Sequence, residues 1–170
     1  MSDARRQLLS ATITVLAKCG PAEASIKRIA EEAGVNHGLV HHYFGSKQRL
    51  LIEALDALDE SLTEQVADIG SKNEAAVFVR TRFLEDPVIT RVLAALITLS
   101  VESPELRTAL HLRLERRARA VANLLNVSVE QAHALIAASL GAAELSRVHP
   151  EIDPTRVTRA LLGVGVPRAQ

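Results

Sequence analysis

The chain has 170 residues, 48% of them hydrophobic, with 20 Lys+Arg balancing 20 Asp+Glu. That length suffices for one good core, or for a small head and a larger body, and that apolar share excludes a disordered chain. The single cysteine, Cys19, excludes an internal disulfide and fits a reducing cytoplasm.

Aromatic residues are confined to Phe44, Phe78, Phe83 and Tyr43, so the core must be aliphatic, and abundant Leu and Ala favour helices. The opening run MSDARRQLLS has two arginines but no long apolar stretch, so no signal peptide is expected. No segment approaches the ~20 apolar residues of a membrane span. The zero net charge is unevenly spread. Residues 1–50 hold 7 basic and 4 acidic side chains, whereas residues 51–170 hold 13 and 16. A basic head (+3) on an acidic body (−3) concentrates attraction for a polyanion at one end.

In chain order, Leu8, Thr12, Val15, Leu16 and Cys19 recur at helical spacing and predict a first helix over 4–18, with Cys19 a buried small hydrophobe. Gly20-Pro21 stops it. Ser25 is placed to cap a second helix whose inner stripe is Ile26, Ile29, Ala30 and Ala33, and Gly34 ends it. Asn36 caps a short third helix, 37–44, and Gly45 closes it. Ser46 caps a long fourth helix from 47 to about 68. Further helices are predicted over 73–84, 88–100, 105–125, 129–147 and 154–163, the last opened by Asp153-Pro154. The reading is all-α, with no strand alternation and no repeat.

Residues 25–47, SIKRIAEEAGVNHGLVHHYFGSK, carry the functional signal. Two short helices joined by a three-residue turn form a helix-turn-helix, whose second helix enters the major groove of DNA. Val35, Val40 and Phe44 face inward, leaving Gly38, Leu39 and His42 outward, with His37 and His41 on one flank and Tyr43 on the other. No acidic residue occurs on this helix. Gly38 lets the backbone come close to DNA. His41 and His42 can donate to bases or phosphates, and Leu39 can touch a thymine methyl. Tyr43 and Lys47 are placed for the phosphate backbone. Ser25, at a helix N-terminus, offers a hydroxyl and free N–H groups to a phosphate, and Lys27 joins this DNA-facing set.

The run from Ser25 to Leu51, with the helix before it, resembles the DNA-binding domain of the TetR family over roughly residues 5–55. The IAEEAGV helix, the cluster His41-His42-Tyr43-Phe44, and Ser46-Lys47 followed by Leu50-Leu51 stand in that family's order. One position departs: the family usually has Tyr where this chain has His41, and an imidazole reaches less far. The resemblance implies a head over 1–46 and a helical effector-binding and dimerisation body over 47–170. It implies a homodimer paired through the last two long helices. Ala138, Gly141, Ala142 and Leu145 supply small residues for close approach there, and the same face also suits an ordinary core helix. It further implies a repressor released from a palindromic operator by a small hydrophobic effector. Phe78, Phe83, Leu93, Leu96, Ile97 and Leu114 are the expected apolar lining, and they would equally fill a core.

Other classes find less support. His37 and His41 are four apart, yet nearby sequence offers no third and fourth metal ligand, so neither metal nor cofactor is expected. No nucleophile–base pair stands out. Glu144 and His149 are the best candidates for an enzyme, and Pro150 sets the histidine past the helix end. The arginines 113–119 read as a solvated face, with His111 and His133 at the surface or beside a pocket. A constitutive DNA binder without effector, or a helical protein-interaction module, are the alternatives.

Overall fold

The computed structural model describes residues 2–66 and 71–162. Its helices are α1 (Asp3–Cys19), α2 (Ile26–Ala33), α3 (Gly38–Phe44), α4 (Lys47–Val66), α5 (Lys72–Phe78), α6 (Pro87–Ser100), α7 (Pro104–Leu125), α8 (Val129–Leu145) and α9 (Pro154–Leu161). No strand occurs among the described residues. Positions 67, 68 and 163, expected to be helical, lie outside the described residues. No helix among the described residues is long and apolar enough to cross a membrane.

The helix ends follow local chemistry. Ser25, Ser71 and Ser128 each accept a hydrogen bond from a backbone N–H of the first turn, at 3.2 Å. Glu74 and Gln131 return the bond to complete capping boxes. Asp86 accepts from Val88 N at 2.9 Å and opens α6 ahead of Pro87. Asp153 does the same for α9 through Thr155 N. Gly34 sits in the left-handed region at φ 66°, and Val35 N bonds back to Ala30 O at 3.0 Å. This closure ends α2 and sets the turn into α3.

The chain forms two compact units. One comprises residues 1–65 and 91–113, the other 66–90 and 114–170. In the first, Leu8, Val15 and Leu16 of α1 meet Ile29 of α2, Val40 and Phe44 of α3, and Leu50 and Leu55 of α4, all at most 5% exposed. Arg113 forms an ion pair with Asp56, its Nε at 2.7 Å.

In the second unit, the expected single helix over 73–84 divides. After α5 the backbone widens into a π-turn, Val79–Leu84, with Glu85 N reaching Arg80 O at 2.8 Å. Long-range polar bonds hold this form. Ser139 of α8 donates to Leu84 O. The Glu85 carboxylate accepts from Thr158 of α9 at 2.5 Å and from Arg80 at 2.7 Å. The Ser139–Leu84 bond is buried, where leaving it unmade is costly, and the two bonds to Glu85 are part-buried.

Two sequence expectations change here. Cys19 is exposed, because the α1 stripe ends at Leu16 and the final turn faces outward. Arg117 does not join a solvated face. It is 4% exposed, and its guanidinium lies 5.4 Å from the Phe83 ring centroid. Position 117 lies two helical turns beyond the buried Leu110, which carries it onto the inner stripe, and the aromatic face offsets part of the burial cost. Arg116 and Arg119 remain exposed. His111 is exposed, and His133 lies 3.0 Å from Glu115.

Alanine cannot take the Gly34 backbone without strain. Gly34→Ala is expected to cost about 1 kcal/mol in denaturant unfolding, with Gly34→Asn costing less because Asn tolerates the left-handed region.

Candidate nucleic-acid interface

A seven-residue helix is too short to be stable alone, so packing must hold α3 in place. Val40 is fully buried and Phe44 is 5% exposed. The Phe44 ring is flanked by the Arg5 guanidinium at 5.4 Å and by Tyr43 edge-on at 6.4 Å. Arg5 is itself fixed by an ion pair with Glu53 of α4. Arg5 of α1 thus links the Phe44 ring of α3 to Glu53 of α4.

The inward pair fixes what faces out. His37, Gly38, His41 and His42 are exposed, and Leu39 and Tyr43 are half-buried. The His42 and Tyr43 rings meet edge-on at 4.8 Å, which braces both. The His41 Nδ1 lies 3.2 Å from Gly45 O at the end of its own helix. This shorter side chain folds back, while the ring stays exposed. Lys47 is half-buried at the start of α4, Ser25 caps α2, and Lys27 is exposed on α2. The structure therefore gathers Gly38, Leu39, His41, His42 and Tyr43 on one short helix, with His37 at its N-terminal end. Ser25, Lys27 and Lys47 sit on the first turns of its two neighbours.

Gly38 has a local reason beside a close approach to DNA. Its N–H donates to Asn36 Oδ1 at 2.8 Å, and an added Cβ would come within 3.1 Å of that same oxygen. Sequence reasoning missed the exposed Gln48 and Arg49, which share the first turn of α4 with Lys47. The signal was present, since Ser46 caps Arg49 N at 3.1 Å and so starts a helix with Lys47, Gln48 and Arg49 in its first turn. Arg28 lies 3.9 Å from Glu31 and from Glu32, which offsets its charge.

The remaining expected residues lie elsewhere. Leu93 and Leu96 are buried in the first unit, where Ile97 is 40% exposed. Phe83 is buried in the second unit, edge-on to Phe78 at 5.6 Å, and Leu114 is half-buried there. On α8, Ala142 is buried within its own chain, Ala138 is half-buried, and Gly141 and Leu145 are exposed. Glu144 pairs with Arg147 at 3.3 Å, and His149 lies beyond the end of α8.

Among the described residues the chain is helical, and α2 and α3 form a helix-turn-helix with no acidic residue on its second helix. Residues 8–54 match the family described as "Bacterial regulatory proteins, tetR family". The HTH-type transcriptional regulator BetI of Agrobacterium fabrum is 33% identical over 104 residues, covering 58% of this chain and 50% of that protein. The chain spans about half or less of the length of such relatives; BetI 1 of Chromohalobacter salexigens, 44% identical, is matched over 31% of its length and 37% of this chain. A transcriptional regulator from Rhodococcus sp. Rha1 shares the fold with a TM-score of 0.74, at 23% identity and covering 94% of this chain and 92% of that one. A protein from Saccharomonospora viridis, solved in complex with choline, has a TM-score of 0.70 at 21% identity, covering 95% and 94%. The helix-turn-helix head, residues 8–54, is thus similar to that of the tetR family of bacterial regulatory proteins.

Inward and outward residues of α3 should separate cleanly in stability. Phe44→Ala is expected to cost about 3–5 kcal/mol in chemical denaturation, whereas His42→Ala should stay within about 0.5 kcal/mol.

Proposed function

We propose that this protein is a sequence-specific transcriptional regulator that binds an operator as a homodimer. The observation that carries this reading is the exposed, acid-free face of α3, held in place by Val40 and Phe44. His42 and Leu39 read base edges in the major groove, and Gly38 allows the close approach. Tyr43, Lys47, Lys27 and Ser25 hold the phosphates, and His37 and His41 flank them. Residues 1–46 form the DNA-binding head, and residues 47–170 the body that pairs and responds.

A two-fold dimer sets two copies of α3 on a palindromic site, one DNA turn or somewhat more apart. The exposed Gly141 and Leu145, with Ala138 beside them, support pairing through α8. The protein works in the cytoplasm as a repressor. A small apolar effector releases it by binding more tightly to the conformation that does not fit the operator.

The test is a titration onto DNA from immediately upstream of its own gene, at several salt concentrations. Saturable binding that weakens steeply with salt is expected. The double variant His42→Ala, Tyr43→Ala should lose about 10- to 100-fold in preference for the operator over a scrambled duplex. Lys47→Ala should weaken both duplexes alike and lower the salt slope by about 1. Equal affinity for operator and scrambled duplex, in genomic fragments as well as the upstream DNA, would refute sequence-specific recognition.

A further inference from the structure

The second unit contains a cavity of about 410 Å³. Its walls come from α5 through Ala76, from the end of α7 and the turn after it through Leu125 and Val127, from α8 through Leu135, and from α9 through Leu161. Gln131 is the polar group among the described wall residues, which include no charged side chain and no aromatic ring. None of the six apolar residues expected from sequence as an effector lining belongs to these walls.

Gln131 has one chemical face committed. Its Oε1 accepts from Ser128 N at 2.9 Å in the α8 capping box. That bond fixes which end of the amide is oxygen and leaves the side-chain N–H groups as what it can offer a guest. The site therefore combines aliphatic walls with one neutral hydrogen-bond donor. A quaternary ammonium calls for aromatic faces or a carboxylate, and these walls supply neither. A carboxylate or phosphate guest would find no cation among the described wall residues to pair with. The volume sits at the lower end of small-molecule pockets, which run from about 300 to 1,000 Å³.

We propose that this cavity between α5, α7, α8 and α9 binds a compact, uncharged aliphatic molecule carrying a hydrogen-bond acceptor, of the medium-chain alcohol or ketone class. It rests on the regulator reading only in that such a ligand would be the effector, and its binding can be measured without DNA. The choline held by the Saccharomonospora viridis protein is thus poorly matched to the described walls of this cavity.

The experiment uses the full chain and the uncharged fluorophore N-phenyl-1-naphthylamine, displaced by 1-octanol, octanoate or choline. Wild type should bind one fluorophore per chain, released by 1-octanol and not by octanoate or choline. Ala76→Leu narrows the wall with a good helix former and should weaken fluorophore binding about tenfold. Gln131→Glu keeps the capping-box pattern, adds a carboxylate, should weaken the fluorophore similarly, and should make choline a competitor. Val148→Ala, exposed and outside these walls, should bind as wild type does. Circular dichroism melts of each variant establish that it is folded. Displacement of the fluorophore from wild type by choline or octanoate would overturn the proposal. So would unchanged affinity in both Ala76→Leu and Gln131→Glu, or no uptake by wild type, as expected if a second copy of the chain covers the cavity. Because these readouts contain no DNA, loss of operator recognition alone would refute the regulator reading and leave the binding site standing.

Discussion

The head depends on the burial of Val40 and Phe44. A helix of seven residues has no stability of its own, so its direction comes from what it packs against. Phe44 is pressed between Tyr43 and Arg5, and Arg5 is held by Glu53. With those two side chains seated, helical periodicity leaves little choice for His42 or Leu39. The outward set on α3 is aimed by core packing, so changing the inward pair would re-aim it, whereas outward side chains can be changed without disturbing that packing.

The second unit uses a different device. Its helices are tied together by long-range polar bonds: a buried one from Ser139 to the Leu84 carbonyl, and a part-buried one from Thr158 to Glu85. An aliphatic core by itself is non-directional and tolerates sliding. Directional bonds at the junction of α8, α9 and the π-turn specify one arrangement, and Arg117 over the Phe83 ring adds another fixed contact.

Much of the fold was legible because its signals are local. Ser25, Gly34, Ser46, Ser128 and Asp153-Pro154 act within a few residues of themselves, so the helix ends they mark could be read without knowing the fold. The candidate interface was legible for a related reason, since α3 exposes whatever its inward pair leaves out. What escaped depends on distant partners. The π-turn is held by residues 55 and 73 positions away. The cavity walls run from Ala76 to Leu162. Arg117 looked like part of a charged face until the Phe83 ring beneath it was placed. Cys19 belonged to the apolar pattern of α1 but lay one turn past the end of its buried stripe.

The π-turn sets the rotational phase of α5. Over six residues a π-turn winds less far than an α-helix, by about 100°, which is one residue's rotation. Rewound as α-helix against a fixed α6, the turn would carry Val77, now 52% exposed, into the place that Ala76 holds at the cavity wall. Ala76 would take the buried place of Ala75, a substitution of like for like. The extra width of the backbone at Val79–Leu84 is therefore what keeps the smaller side chain at the wall, and with it the cavity open.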